Sequence, residues 1–175
     1  KGKRIACGPA GGGTIPMMKQ VLALHGLTMK DIKPTFLSYS DGFKQLADGN
    51  VDAAFALSGY PAGAATQVVV TTKLKHIKMG KGKIKEALAK YPNYNLVKIP
   101  TSAYKTMRAG KVLGVNNMLV VDSSMSDDDA FKITKAVYDN MKEFKANNSY
   151  AKQIKPKNSL KLKIPLHPGA KKYFK

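Results

Sequence analysis

Cysteine and arginine are scarce in this sequence, and their scarcity argues against an internal disulfide and against a specific nucleic-acid site. One cysteine in 175 residues cannot form an internal disulfide, so the sequence leaves the redox compartment open. Only Arg4 and Arg108 of the 30 basic residues are arginine, whereas nucleic-acid binders favour arginine forks with interleaved aromatics. We expect no specific nucleic-acid site. The net charge of +19 still predicts weak, salt-sensitive binding to polyanions, and a basic module for such partners is the alternative function.

Long apolar runs and catalytic clusters are also missing. No stretch approaches the roughly 18 apolar residues of a membrane span. His25, His76 and His167 are far apart and lack metal-ligand spacing, and Ser58 lacks a Gly-x-Ser-x-Gly elbow. We expect a binding protein with no metal, no cofactor and no catalytic residue. The chain begins at Lys1 without methionine, so we interpret it as a processed or trimmed product.

The most informative stretch is residues 7–14, Cys-Gly-Pro-Ala-Gly-Gly-Gly-Thr. It follows a predicted strand and precedes a predicted helix. Such a turn lets backbone N–H groups approach a ligand, and the helix N-terminus adds unsatisfied donors and a positive dipole end. Gly11, Gly12, Gly13 and Thr14 are therefore candidate ligands of an anion, with a small carboxylate favoured. A tight turn without a ligand is the alternative.

Two nucleotide motifs can be tested against the same stretch, and both fail. A P-loop requires Gly-Lys-Ser/Thr after its first glycine and four further residues, but Thr14 stands where the lysine belongs. The dinucleotide pattern Gly-x-Gly-x-x-Gly begins at Gly11 and meets Pro16 at its third glycine. Neither nucleotide cofactor is supported.

Apolar runs and turn signals alternate in the manner of an α/β fold. Strands are expected over residues 3–7, 32–39, 51–57, 74–79, 94–99 and 111–121, and helices from residue 14 to a stop at Gly26 and over 42–47, 61–70, 80–90 and 126–145. If the first three strands take the common order 2-1-3, their carboxyl ends face one crevice. A second turn, Ser58, Gly59, Tyr60 and Pro61, would then line the same site as the glycine turn.

The predicted helix over residues 126–145 has the clearest pattern. Ser124 or Ser126 caps it, and three aspartates stand at its positive end. A stripe at helical spacing faces one side: Ala130, Ile133, Val137, Met141 and Phe144. We expect this stripe to pack against another surface.

Several segments, taken together, resemble the TAXI family of solute receptors for TRAP transporters. They match in order and spacing across almost the whole chain, at residues 2–6, 8–14, 47–55, 59–61, 99–104 and 164–170. The resemblance implies a type II periplasmic-binding-protein-like fold with a parallel-rich sheet flanked by helices. It also implies an extracytoplasmic receptor that closes on an amino acid or dicarboxylate such as glutamate, and whose partners are the membrane subunits of the transporter.

The chain departs from the family pattern at two places. Family members usually carry a serine at the position of Gly12, which implies one hydroxyl fewer in this site. They also carry an N-terminal segment ahead of the position matching Lys1, and that segment supplies the other wall of the cleft. The resemblance therefore implies that residues 1–116 are the second lobe and that 117–175 return to the first lobe. We expect another polypeptide carrying that segment, or self-association, to complete the first lobe.

Overall fold

The structure, a computed structural model, describes residues 1–104, 106–107, 110–160 and 164–175. The chain divides into two compact units, Lys1–Asn116 and Asn117–Lys175. The assignment of these units to the two lobes of a receptor stays a prediction.

Unit 1 is organised around a parallel sheet of three short strands. These strands are β1 (Arg4–Ala6), β2 (Lys33–Thr35) and β3 (Ala53–Ala54), and the sheet order is β2-β1-β3. Arg4 pairs with Lys33, and Ile5 pairs with Ala53. The 2-1-3 order that the sequence analysis assumed is therefore confirmed, and the carboxyl ends of all three strands lie at one edge.

The helices of unit 1 connect and cover these strands. They are α1 (Thr14–Leu24), α2 (Tyr39–Ala47), α3 (Gly63–Val68) and α4 (Lys81–Lys90). α1 buries Met18 with Cys7 and Ile32, and buries Met17 and Leu24 with a second cluster that includes Ile84. Full burial of a side chain of this size contributes roughly 1.5–3 kcal/mol. α1 is therefore anchored on two sides, which fixes its N-terminus relative to β1.

A hairpin completes unit 1. β4 (Tyr94–Lys98) pairs antiparallel with β5 (Lys111–Val115), and Tyr94 lies opposite Val115. Tyr94 and Leu113 are buried in the cluster that holds Met17 and Ile84. The hairpin thus packs on α1 and α4.

Several predicted elements are shorter in the structure than in the sequence analysis. β2 ends at Thr35 because Ser38 caps α2, and α3 covers only Gly63–Val68, so Pro61 lies outside its first turn. Residues 74–79, predicted as a strand, are in neither a helix nor a strand. The strand predicted over 111–121 ends at Val115, because its partner β4 begins at the opposite residue, Tyr94.

Unit 2 is helical in the part of it that the structure describes. Its helices are α5 (Asp127–Asp139), α6 (Met141–Asn147), α7 (Pro156–Ser159) and α8 (Pro168–Tyr173). Ser126, one of the two predicted caps, caps α5 by accepting a hydrogen bond from the N–H of Asp129 at 3.1 Å. The prediction of one continuous helix over 126–145 is wrong. α5 ends at Asp139, and the side chain of the next residue, Asn140, donates a hydrogen bond to the carbonyl of Ala136 at 2.8 Å.

α8 packs against one side of α5. Phe131 and Tyr138 of α5 contact the rings of Tyr173 and Phe174. A Cβ placed on Gly169 would lie 2.0 Å from the carbonyl oxygen of Asp127, so the two backbones meet where only glycine fits.

The predicted apolar stripe of α5 and α6 is only partly covered. Ala130 and Met141 are buried, whereas Ile133 is 37% exposed and Phe144 is 42% exposed. Leu119 and Val120, which lie ahead of α5, are 74% and 65% exposed. Unit 2 therefore presents apolar surface that its own described residues do not cover.

Candidate functional site

The candidate site is built on the turn that joins β1 to α1. Gly8 and Gly11 have φ angles of 84° and 77°, which other residues rarely adopt. A Cβ on Gly8 would lie 3.0 Å from Cε1 of Tyr39 and 3.2 Å from Cβ of Thr14. The chain at Gly8 therefore passes so close to α1 and α2 that a side chain there would push them aside.

The N-terminus of α1 is the part of this turn suited to an anion. Gly13 precedes α1 and supplies no side-chain cap. α2 differs, because Ser38 caps it and the carboxylate of Asp41 accepts a 2.7 Å hydrogen bond from the Ser38 hydroxyl. A helix N-terminus attracts anions through its unsatisfied N–H groups and its dipole, and a nearby carboxylate repels them. Of these two helices, α1 is therefore the one that can receive an anion.

The backbone of the turn supports its own shape. The N–H of Gly12 donates to the carbonyl of Pro9 at 3.3 Å, and the N–H of Ile15 donates to the carbonyl of Gly12 at 3.2 Å. A Cβ on Gly12 would lie 3.3 Å from the Pro9 oxygen. A serine at this position would therefore require the Pro9 carbonyl to shift by a few tenths of an ångström.

The hydroxyl of Tyr39 connects three elements at this edge of the sheet. It is within hydrogen-bond distance of Thr14 Oγ1, donates to the carbonyl of Leu57 at 3.1 Å, and accepts from the N–H of Leu57 at 3.3 Å. Since a phenol has one proton, donation to Leu57 leaves Thr14 as the donor to Tyr39. Thr14 is 2% exposed. Its hydroxyl proton must leave Tyr39 before it can serve a bound anion.

The second predicted turn follows β3. Leu57 lies beside the glycine turn, since its Cδ2 is 4.0 Å from the position of a Cβ on Gly13. Ser58 is the next residue and is exposed. The contacts thus bring the start of this turn to the N-terminus of α1. Gly59, Tyr60 and Pro61 continue the same segment, and their place in the site stays a prediction.

The far end of the second turn is fixed by a buried tyrosine. The N–H of Ala62 donates to the hydroxyl of Tyr104 at 2.9 Å, and Tyr104 is 8% exposed. Tyr104 packs in the cluster formed with Phe43 and Ala65. Tyr104 therefore holds the end of the turn against the buried cluster. It is also among the residues that carry the family resemblance.

A small hollow lies beside the turn. Its lining comprises Ala6, Gly8, Ser38, Tyr39, Gly42, Phe43, Ala54 and Phe55. It has no room for a water molecule, so it is a crevice between packed side chains and does not hold a solute by itself.

The remaining reactive side chains have structural roles. Cys7 is 0% exposed, and burial raises the pKa of its thiol, so the thiolate is disfavoured. His167 caps α8, since Nδ1 accepts from the N–H of Gly169 at 3.2 Å and Nε2 faces the carbonyl of Met125 at 3.2 Å. Among the described residues, His, Cys, Asp and Glu form no group of three that could hold a metal ion.

Tyr39 is the site residue that sequence reasoning missed. Tyr39 comes directly after Ser38, four residues beyond the end of β2. Parallel strands joined by crossover helices have all their carboxyl ends at one edge of the sheet, so a residue at this position lies near that edge. A polar aromatic at that position is therefore a usable signal, but the predicted strand over 32–39 placed Tyr39 inside the sheet.

Comparison with known protein families supplies the remaining identification. Within the part of the chain that the structure describes, no helix is long and apolar enough to cross a membrane. The parallel three-strand sheet flanked by helices confirms the expected α/β fold and is that of a periplasmic-binding-protein-like protein. The NMT1-like family, whose members are periplasmic-binding-protein-like, matches residues 1–175, and the chain therefore belongs to that family.

Proposed function

We propose that this chain is an extracytoplasmic receptor that captures a small organic anion and delivers it to a TRAP-type membrane transporter. The solute class is an amino acid or a dicarboxylate such as glutamate. We also propose that the chain belongs to the TAXI branch of receptors. Membership of the NMT1-like family indicates a solute-binding role in general, in a family that is generally non-enzymatic and typically extracytoplasmic.

The observation that carries the proposal is the uncapped N-terminus of α1 at the carboxyl edge of the sheet. Gly11, Gly12 and Gly13 keep side chains away from the approach to this helix end. Tyr39 links Thr14 to Leu57 by hydrogen bonds, and the proposal places the second turn, which begins at Ser58, beside the same helix end. A carboxylate placed there gains backbone donors and a favourable dipole without requiring a buried cation.

A second surface that covers the solute is part of this proposal. The hollow beside the turn has no room for a solute, so a solute at the N-terminus of α1 is exposed to water unless another surface closes over it. Closure of another surface over the turn would exclude water and strengthen charge-assisted hydrogen bonds. This is how a two-lobe receptor holds a small anion.

A thermal-shift screen tests the solute class. Amino acids and dicarboxylates are compared with phosphorylated metabolites and oligonucleotides. We expect one of the carboxylates to raise the melting temperature of the protein, since a ligand that binds only the folded state stabilises that state. A response confined to oligonucleotides would favour the basic polyanion-binding module instead, and a response confined to phosphorylated metabolites would favour an enzyme.

Calorimetric titration of Thr14 variants tests the site. Thr14→Ala should weaken binding of the carboxylate by about 1 kcal/mol, and by somewhat more if the lost bond is charge-assisted. Thr14→Ser keeps a hydroxyl and should bind nearly as the parent does. Thr71→Ala removes the same atoms from an exposed position and serves as the control. Unchanged affinity in Thr14→Ala would contradict the predicted role of the Thr14 hydroxyl in binding and would show that it stays with Tyr39.

A further inference from the structure

Two parts of the sequence are strongly basic. The last 32 residues, 144–175, contain nine lysines and no acidic residue, and the other basic part lies in the middle of the chain. The 69 residues between Asp52 and Asp122 contain eleven Lys and Arg residues and one acidic residue, Glu86, which gives a net charge of +10. The first 52 residues contain seven basic and four acidic residues, a net charge of +3. Glu86 is itself paired with Lys83 at 2.8 Å. Residues 53–121 therefore contain almost no counter-charge of their own.

Within that stretch, residues 70–78 present charge and apolar surface together. Val70 is 68% exposed and Ile77 is 78% exposed, and Lys73, Lys75 and Lys78 are all exposed. We call these five residues the basic ridge. They lie within nine residues of chain, which span at most about 32 Å when fully extended.

The ridge is held outward by the residues between its members. Leu74 packs against the cluster of Phe43, Ala65 and Tyr104, and Met79 packs against the cluster of Met17 and Ile84. Nδ1 of His76 is buried. Leu74 and Met79 thus anchor the segment to the core, while Lys73, Lys75 and Ile77 are exposed.

We propose that the basic ridge is a docking surface for the anionic headgroups of a phospholipid bilayer, with Ile77 and Val70 entering the interface. This inference is independent of the solute proposed above. Lysines near an anionic membrane surface are attracted to its negative potential, and exposed aliphatic side chains add binding by partial burial at the headgroup boundary. The combination matches what the ridge presents.

The composition of the ridge favours a lipid surface over nucleic acid. Its cations are lysines, which act as hydrated point charges, whereas nucleic-acid sites use arginine forks and aromatic stacking on bases. An exposed isoleucine between lysines gains nothing from a phosphate backbone. A bilayer interface is the anionic surface that rewards both side-chain types.

Co-sedimentation of the 175-residue chain with lipid vesicles tests the proposal. Vesicles of phosphatidylglycerol mixed with phosphatidylcholine are compared with vesicles of phosphatidylcholine alone, at low and at physiological salt. A variant with Lys73, Lys75 and Lys78 changed to Gln is compared with a variant that changes Lys19, Lys30 and Lys44 to Gln. The control removes the same charge from exposed positions of the same unit. A third variant is Ile77→Gln.

We expect the chain to bind only the vesicles that contain phosphatidylglycerol, and we expect this binding to weaken as the salt concentration rises. The ridge variant should bind at least about tenfold more weakly than the parent, while the control changes by less than about threefold. Ile77→Gln should weaken vesicle binding severalfold and leave oligonucleotide binding unchanged.

Three results would overturn the proposal. The first is equal binding to both kinds of vesicle. The second is equal loss in the two lysine variants, which would show that net charge alone drives association. The third is an oligonucleotide that displaces the vesicles while Ile77→Gln binds them as the parent does, which would assign the ridge to nucleic acid. Circular dichroism verifies that each variant is folded.

Discussion

Replacing Gly8 by alanine tests the close packing at the glycine turn, and Gly11→Ala is its matched control. Both glycines have positive φ, so each alanine incurs roughly 1–2 kcal/mol of backbone strain. Only at Gly8 would the new Cβ meet neighbours, at 3.0 Å from Tyr39 and 3.2 Å from Thr14, whereas Gly11 has nothing within 4 Å. Overpacking of this kind adds about 1–3 kcal/mol.

We therefore expect Gly8→Ala to lower the free energy of unfolding by roughly 2–5 kcal/mol and Gly11→Ala by roughly 1–2 kcal/mol. Urea unfolding followed by circular dichroism measures both. The difference between the two variants is the informative quantity, because the strain from φ is common to them. Equal losses would refute the arrangement in which α1, α2 and the turn converge on Gly8.

Three other perturbations test separate parts of the structure. Hydrogen bonds from the side chain and backbone of Arg4 lower the pKa of Asp52 from its ordinary 3.8 to about 2, so the stabilisation is complete above the ordinary value and is lost as pH falls towards 2. Melting temperatures across that range should show the gap between the parent and Asp52→Asn narrowing as pH falls, and a constant gap would contradict the ion pair. Gly169→Ala should lower the free energy of unfolding in urea by about 1–3 kcal/mol or more, because its Cβ would lie 2.0 Å from the Asp127 oxygen. The control Gly82→Ala, whose Cβ would have nothing within 4 Å, should leave this free energy unchanged or raise it by up to about 1 kcal/mol. A larger loss in Gly82→Ala than in Gly169→Ala would exclude the described packing of α8 on α5. Because Leu119, Val120 and Phe144 are exposed, we expect the 175-residue chain alone to bind the apolar dye ANS. Its mass in light scattering should rise above the 19.0 kDa of one chain as the concentration increases. A monomer that binds no dye at any concentration would show that this surface needs no cover.

Local signals in the sequence predicted the elements that frame the site. The glycines before Thr14, the helix stop at Gly26 and the apolar face of α1 all act within one turn and one helix. The cap at Ser126 is equally local. Such signals depend on backbone freedom, dipoles and period, which do not require knowledge of distant partners.

Element lengths could not be predicted, because they depend on partners distant in sequence. β5 ends at Val115 because β4 begins at Tyr94, and nothing within residues 111–121 marks that limit. Residues 74–79 have strand-like composition but join no sheet in the structure, and their alternating exposure arises from packing on two clusters. Tertiary contacts override strand propensity in both segments.

The candidate site was predicted in part for the same reason. Topology alone brings the ends of β1 and β3 together, so the proximity of Leu57 to Gly13 follows from the strand order. The hydrogen bond between Thr14 and Tyr39 does not follow from the strand order, because it depends on where β2 ends and α2 begins. A three-residue error in the predicted start of α2 was sufficient to hide Tyr39.

The proposed function depends on the binding of a small carboxylate at the N-terminus of α1. Nuclear magnetic resonance of ¹⁵N-labelled protein, titrated with the carboxylate that gives the largest thermal shift, tests this binding site. We expect saturable chemical-shift changes at the amides of Gly12, Gly13 and Thr14, which are reduced in Thr14→Ala and retained in Thr14→Ser. Saturable shifts confined to unit 2, or to the lysines of residues 73–90, would contradict it.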